Sequence, residues 1–234
     1  GQLRTVREVV DAHRQHGQHY KPIDLGSSWN TVGELVRDRS EQQVLKRAPA
    51  MLDQLVGHTE RALPRFDARP LANTVNGLAG LQDRAGWRAS GAFWKGLATQ
   101  STKQVRRMVP QGLSNTVHGF AKVGRREPEL FEAVARAAVP KLREFAPQAL
   151  SNTAWAYATA EHAAPELLDA MATEMARRGL REFTEQELSN TVWAYATAGH
   201  AAPELLDAMA TEMARRGLRD FDPQALSNTA WAYA

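Results

Sequence analysis

A nine-residue stretch, Leu-Ser-Asn-Thr-Ala-Trp-Ala-Tyr-Ala, stands at residues 150–158 and returns at 188–196 and 226–234, with valine in the fifth position of the second copy. The period is 38 residues. Residues 150–183 and 188–221 differ only at Ala154/Val192, Glu161/Gly199 and Glu182/Asp220. Internal repetition at such a period is typical of a solenoid, in which each unit packs only on its neighbours.

The asparagine of this repeat also marks degenerate copies upstream. Each asparagine is followed by threonine, and an apolar residue stands seven positions before it. The six asparagines are Asn30, Asn73, Asn115, Asn152, Asn190 and Asn228. We expect an N-terminal helical or flexible segment at 1–22, degenerate helix pairs at 23–144 with an insertion near 83–104, and regular repeats at 145–234. Because the last repeat is truncated inside its first helix, we expect the sequence to be a fragment of a longer protein.

Each repeat reads as two helices. The spacing of Thr184 and Glu187 predicts a capping box at the start of a first helix, and Asp222 before a proline predicts another N-cap. We expect the second helix to run from Glu166 to Arg178 and to end at Gly179. Almost nothing has the pattern of a strand. The sequence therefore predicts an all-α fold, a right-handed α-solenoid of two-helix repeats.

The first helix has two contrasting sides when its residues are placed at steps of about 100°. One side carries Leu150, Ala154, Tyr157 and Ala158. The other carries Gln148, Asn152, Ala156 and Thr159, with Trp155 near its edge. In a helix-pair solenoid the second side lines the concave surface. Amides there suit the edges of unpaired bases, and an indole suits base stacking.

Three registers supply the candidate base-contacting residues: four before the asparagine, the asparagine itself and three after it. They are Arg69, Asn73, Asn76, Gln111, Asn115, His118, Gln148, Asn152, Trp155, Gln186, Asn190, Trp193, Gln224 and Asn228. Two alternatives stay open. An asparagine present in every unit can instead tie the backbone together, and the tryptophans can instead pack one repeat on the next.

Charge is distributed unevenly along the chain. Residues 1–149 carry 23 Lys and Arg against 14 Asp and Glu, whereas residues 150–234 carry 6 against 12. The first two-thirds is therefore the candidate contact region for a polyanion, with an ordinary solvated surface as the alternative. The candidate phosphate contacts are Arg106, Arg107, Lys122, Arg125, Arg126, Arg177 and Arg178. For Arg177 and Arg178, and for the matching Arg215 and Arg216, compensation of the helix dipole is an equal alternative.

Several classes of function find no support in the sequence. The absence of cysteine excludes disulfides, thiolate metal sites and a cysteine nucleophile. No apolar run approaches the roughly 20 residues of a membrane span, and no targeting peptide is recognisable. His13, His16 and His19 are spaced for a metal site, but the glycine between them and the lack of carboxylates favour a solvated segment. No catalytic motif occurs, so we expect a non-catalytic protein without metal or cofactor.

The unit Phe-x-Pro-Gln-x-Leu-Ser-Asn-Thr-x-Trp-Ala-Tyr-Ala at 145–158 and 221–234 resembles the octotricopeptide repeat family, and 66–74 resembles its degenerate units. The resemblance implies an α-solenoid that binds single-stranded RNA, roughly one nucleotide per repeat, in a chloroplast or mitochondrion. It also implies a role in RNA stability, splicing or translation. The family's second-helix element is reduced here to Pro-Glu-Leu at 165–167 and 203–205. Heptatricopeptide repeats and the repeats of some bacterial effectors are similar too.

The leading expectation is therefore a non-catalytic solenoid whose partner is single-stranded RNA. The rival is a protein-interaction solenoid of the HEAT or armadillo kind, favoured by the acidic balance of the regular repeats. We also expect contacts with other proteins through the truncated end, and no membrane association.

Overall fold

The computed structural model describes residues 3–217, 219 and 221–233. Over this part of the chain it contains thirteen α-helices and no strand. The helices are Val6–His16 (α1), Pro22–Leu35 (α2), Arg39–Arg47 (α3), Asp53–Ala62 (α4), Ala68–Ala85 (α5), Gly91–Gln104 (α6), Pro110–Lys122 (α7), Pro128–Ala138 (α8), Pro147–Thr159 (α9), Pro165–Arg178 (α10), Glu185–Thr197 (α11), Pro203–Arg216 (α12) and Pro223–Ala232 (α13). Asp220 and Ala234, which belong to the predicted repeats, lie outside the described residues. The predicted all-α solenoid is confirmed.

The helices form two layers. The first helices α2, α5, α7, α9, α11 and α13 each pack on the next, and so do the second helices α6, α8, α10 and α12. The core lies between the layers, where Leu150, Tyr157 and Met171 are fully buried. Burying one such side chain stabilises the fold by about 1.5–3 kcal/mol. The Tyr157 hydroxyl donates to the Phe131 carbonyl at 2.7 Å and so ties a first helix to the preceding repeat.

The predicted helix ends are confirmed. Thr184 and Glu187 form the capping box, in which each side chain accepts a hydrogen bond from the other residue's backbone N–H. The Asp222 carboxylate accepts from the Ala225 N–H at 2.7 Å. Gly179 ends α10 with a φ of 77°, a left-handed value that favours glycine.

One of the three differences between the regular repeats has a conformational reason. The turn after α9 places Glu161 at a φ of 52°, and the turn after α11 places Gly199 at 59°. A non-glycine residue in this region costs roughly 1 kcal/mol. Glycine at position 199 therefore relieves a strain that the preceding repeat retains.

The N-terminal repeats depart from the predicted pattern. The unit that begins with α2 has two short helices, α3 and α4, in place of one second helix. Segment 83–104 is not a simple insertion, because it contains α6, the second helix of its own unit. The extra length lies largely in α5, which has 18 residues where α9 has 13.

The histidine segment is also different from the prediction. His16 and His19 are exposed, but His13 is buried, so this part of α1 is not simply solvated. The His13 Nε2 lies 3.0 Å from the His58 Nδ1 of α4. Burial lowers the pKa of His13, and the neighbouring His58 lowers it further. Neutral rings can share one hydrogen bond, which joins α1 to α4.

In the described part of the chain, no helix has the length and apolar character needed to span a membrane.

Candidate nucleic-acid interface

Each residue of the Leu-Ser-Asn-Thr motif has a different task. The leucine enters the core: Leu113, Leu150 and Leu188 are fully buried. The serine donates to a carbonyl of the next first helix: Ser114 to Ala149 at 3.0 Å, Ser151 to Glu187 at 3.0 Å and Ser189 to Ala225 at 2.8 Å. The threonine donates one turn back within its own helix, as Thr153 does to Ala149 at 2.7 Å. Sequence reasoning missed the serine ladder, although a serine directly precedes the last four of the six asparagines.

The asparagine of the motif lies at the surface. The side chains of Asn73, Asn115, Asn152, Asn190 and Asn228 are partly exposed. Residues Gln111, Gln148, Gln186 and Gln224 are exposed. Among the described residues, none of these nine amides has a hydrogen-bond partner, whereas Asn76 donates to the Asn30 Oδ1 at 2.9 Å. The alternative in which the repeated asparagine ties the backbone is therefore disfavoured, because serine and threonine do that work.

Seven of these amides, all except Gln224 and Asn228, line one continuous groove along the first helices, which we call the amide groove. Between α5 and α7 it opens into a cavity of about 600 Å³ and between α7 and α9 into one of about 350 Å³. A third cavity of about 700 Å³ reaches from α2 to α11. All three share Gln111 and Asn115, so they form one surface. The groove is open and polar, which suits an extended ligand better than a small molecule.

Aromatic rings follow the groove at the register three after the asparagine. The rings of His118 and Trp155 lie 5.1 Å apart, and those of Trp155 and Trp193 lie 6.5 Å apart. Both tryptophans are partly buried against the core. The indoles thus pack one repeat on the next, while part of each side chain remains exposed. Ala156 is fully buried, so its expected place on the groove side is wrong.

His118 is neutral at physiological pH. Burial, with a smaller contribution from the nearby Lys122, lowers its pKa to about 4. A neutral imidazole has one donor and one acceptor nitrogen, and therefore contributes no charge to the amide groove.

The cations of the groove fall into two groups. Three are engaged: Lys122 pairs with Asp83 at 2.9 Å, Arg37 pairs with Glu34 at 2.9 Å, and Arg84 donates to the Gly33 carbonyl at 2.9 Å. Two are not: Arg69 and Arg107 are exposed, and within the described residues their guanidinium groups have no hydrogen-bond or ion-pair partner. Both line the cavity between α5 and α7.

A family model, that of the RNA-editing substrate-binding complex 6 protein, matches residues 65–234, the stretch that contains α5 to α13. The chain belongs to the RNA-editing substrate-binding complex 6 protein family. No curated protein matches the chain. Because this family takes its name from an RNA-editing complex, this member is an RNA-related helical-repeat protein.

In this family member, Arg178 and Arg216 serve the fold. Arg178 donates to the Phe145 carbonyl at 2.6 Å and to the Leu142 carbonyl at 3.0 Å, and Arg216 repeats both contacts with Phe183 and Leu180. Glu174 also accepts from Arg178 at 2.7 Å. The hydrogen bond from Arg177, together with a smaller contribution from Arg178, lowers the pKa of Glu174 to about 2. The geometry thus favours neither a phosphate contact nor a mere dipole effect for Arg178.

Other side chains make the same closing contact in the earlier repeats. The acceptor is always the carbonyl of the residue seven before the asparagine. Gln100 donates to Phe66 at 2.9 Å, and Lys141 donates to Met108 at 2.7 Å. We call this set, Gln100, Lys141, Arg178 and Arg216, the closing contacts. Sequence reasoning missed them because the donor changes from glutamine to lysine to arginine, although it always stands 33 or 34 residues after its acceptor.

The remaining candidate phosphate contacts of the family member lie outside the cavities of the amide groove. Arg126, which follows the C-terminal end of α7, pairs with Glu161, which follows the C-terminal end of α9, through two hydrogen bonds of 2.8 and 2.7 Å. Arg125 lies near Gly91, and Arg106 is exposed in the turn before α7. Arg177 pairs with Glu174 at 2.8 Å. No group of side chains in the described residues is arranged to hold a metal ion.

Proposed function

We propose that this chain is a non-catalytic protein that binds single-stranded RNA in the amide groove. The observation that carries the proposal is the row of amides without internal partners along one open groove. Amide side chains both donate and accept, and unpaired bases expose edges that need both. The family's name supports a role with RNA, and the resemblance to octotricopeptide repeats supports a single-stranded ligand.

The finer role belongs to the same proposal. The chain acts in an organelle on the stability, splicing or translation of a transcript, as its resemblance to octotricopeptide repeats implies. The family is named for RNA editing and gives no support to the chloroplast in particular. We infer that this chain has no catalytic activity of its own and that any catalysis is performed by a partner.

Fluorescence anisotropy tests the proposal directly. Single-stranded RNA of random sequence is compared with matched DNA and with duplex RNA at two salt concentrations. We expect a preference for single-stranded RNA and an affinity that falls with salt by a slope of about 0.7 per phosphate contact. No binding to single-stranded RNA at low salt contradicts the proposal.

A double substitution then tests the amide groove itself. We expect Gln148→Ala with Gln186→Ala to weaken RNA binding without lowering the melting temperature, because both side chains are exposed and unpaired. Gln43→Ala with Gln54→Ala is the matched control, since these exposed glutamines lie on α3 and α4, away from the groove. Equal affinities of the two variants would remove the glutamine row from the interface.

A protein partner is a second candidate, supported by the outer surface of the regular repeats. Glu166 and Asp169 of α10 and Glu204 and Asp207 of α12 are exposed at matching positions on the second helices. This acidic face lies on the layer opposite the groove and suits a basic protein surface. Binding there leaves the groove free, so the two partners do not exclude each other.

A further inference from the structure

Two cavities of the amide groove are copies of one site, one repeat apart. The cavity between α5 and α7, the α5–α7 pocket, is lined by Arg69, Asn73, Arg107, Gln111 and Asn115. The cavity between α7 and α9, the α7–α9 pocket, has the equivalent residues Gln111, Asn115, Glu144, Gln148 and Asn152. Both pockets have two asparagines, and Gln111 of the first pocket is matched by Gln148 of the second. The other two positions change.

The change inverts the charge of the pocket. The position of Arg69 is taken by Gln111 in the next repeat, and the position of Arg107 is taken by Glu144. The α5–α7 pocket, which Glu34 of α2 also lines, thus has two arginines and one carboxylate, whereas the α7–α9 pocket has one carboxylate and no cation. In the regular repeats, Glu182 is again acidic at the Arg107 position. The α5–α7 pocket therefore brings together the two groove arginines that have no internal partner among the described residues.

The two arginines of the α5–α7 pocket are available to a ligand. Unlike Arg37, Arg84 and Lys122, they have no internal partner in the described part of the chain. An unpaired guanidinium offers a planar set of donors that matches phosphate oxygens. Beside them Val109 is 65% exposed, which leaves an apolar surface next to the cationic one. A phosphate beside an apolar ring is the chemistry of a nucleotide.

We propose that the α5–α7 pocket anchors a backbone phosphate of single-stranded RNA between Arg69 and Arg107, and so fixes the register of the strand on the amide groove. This inference rests on the proposed function. Asn73 and Asn115 then face the base or ribose attached to that phosphate. Glu144 repels a phosphate at the same place one repeat later, so the strand meets the α7–α9 pocket through its bases. Affinity is concentrated in the first pocket, and amide contacts follow along the later repeats.

Charge reversal at adjacent residues tests this assignment. Arg107→Glu gives the α5–α7 pocket the acidic residue of its neighbour, and Arg106→Glu makes the same charge change one residue away, outside the pocket. We expect Arg107→Glu to weaken binding of a single-stranded RNA 12-mer at least tenfold in anisotropy, and Arg106→Glu to weaken it less than threefold. The salt slope should fall for Arg107→Glu by about the 0.7 of one phosphate contact. Melting curves verify that both variants are folded.

The reverse exchange completes the test. We expect Glu144→Arg to tighten RNA binding, because it builds a second cationic pocket, and to leave the melting temperature unchanged since Glu144 is exposed. Equal losses for Arg107→Glu and Arg106→Glu, with RNA still bound by the unaltered chain, overturn the phosphate anchor alone. An unaltered chain that binds no RNA contradicts the proposed function as well. Inorganic phosphate is then added as a competitor, with chloride at the same ionic strength as the control. If phosphate displaces the RNA no better than chloride does, the pocket binds phosphate as part of the polymer and not as the free ion.

Discussion

The first helices pack on each other in two different ways at the two ends of the solenoid. Between α2 and α5 the backbones meet across glycines: a Cβ on Gly26 would lie 2.6 Å from the Pro70 Cα, and one on Gly33 would lie 2.7 Å from the Gly77 Cα. Between α9 and α11 the corresponding contact is made by Trp155 and Trp193, at 6.5 Å between ring centroids. The same Asn-Thr register thus accommodates a fixed backbone contact and a side-chain contact.

The repeats also differ in how each unit is closed. The α5–α6 unit uses the neutral Gln100, whereas the regular units use Arg178 and Arg216 with a buried glutamate. The α5–α6 unit therefore depends on backbone fit and neutral hydrogen bonds, whereas a regular repeat depends on aromatic packing and ion pairs. The two halves of the molecule should respond differently to substitution, pH and salt.

The largest effect is expected at the glycine contact. A Cβ on Gly77 would collide with the Trp29 carbonyl, which belongs to a helix backbone and cannot rotate away. We expect Gly77→Ala to lower the free energy of unfolding by about 3 kcal/mol, at the upper end for overpacking. Chemical denaturation followed by circular dichroism measures the loss.

The matching position in a regular repeat supplies the control for that substitution. Ala156 is four residues after its asparagine, as Gly77 is, and is fully buried. We expect Ala156→Gly to cost only about 1 kcal/mol, the helix propensity of glycine. If Gly77→Ala and Ala156→Gly lower the free energy of unfolding equally, the backbone contact between α2 and α5 adjusts to a substitution as readily as the aromatic contact between α9 and α11.

The closing contacts give the next effect. Arg178→Gln removes the donors to the Phe145 and Leu142 carbonyls and one partner of Glu174, so we expect a loss of about 2 kcal/mol in unfolding free energy. Arg177→Gln is the control, since Arg177 is 55% exposed at its side chain and bonds Glu174 alone. We expect less than about 1 kcal/mol for the control, as for surface ion pairs. A larger loss for Arg177→Gln would make the ion pair, and not the carbonyl contacts, the source of stability.

The boundary between the two regions is sensitive to pH. His118 is the first ring of the aromatic series, and its pKa of about 4 lies below the ordinary 6.5. The unfolded chain therefore binds the proton more readily than the folded chain, and stability falls as the pH decreases between these values. We expect about 2 kcal/mol of loss between pH 7 and pH 5 from this residue.

Comparison of the unaltered chain with His118→Gln isolates that contribution, because His13 and His58 also have lowered pKa values and remain in both proteins. The variant should show the shallower dependence of unfolding free energy on pH. Parallel curves for the two proteins would mean that the pKa of His118 is the same in the folded and the unfolded chain.

The sequence predicted the repeat and its helix ends because those depend on local chemistry. The caps at Thr184 and Asp222 and the stop at Gly179 need only a few neighbouring residues. The near identity of two units set the register of all the others. The same register placed Asn152 and Gln148 on the groove side, and the structure puts them there.

Long-range contacts were not predictable in the same way. Arg178 looked like a surface cation because its acceptors, the carbonyls of Phe145 and Leu142, carry no side-chain signal. His13 looked solvated because its partner His58 is 45 residues away. The split of the first unit into α3 and α4 was invisible since that unit retains little of the repeat beyond its Asn-Thr pair. The cationic pocket needed the structure, which alone brings Arg69 and Arg107 to one cavity.

The smallest expected effect decides between two roles of the indoles. Trp155 and Trp193 contact each other and are partly buried, so each face that packs on a neighbour is unavailable to a base. We expect the double-mutant cycle of Trp155→Leu and Trp193→Leu to give a coupling of about 1 kcal/mol in unfolding free energy. A stacked base contributes about 1–3 kcal/mol to RNA affinity, whereas an indole used for packing contributes little. If the single variants lose RNA affinity on that scale while the coupling is absent, the tryptophans stack on bases. The observed geometry favours the opposite result. In the regular repeats, aromatic packing then replaces the glycine contact of the first repeats.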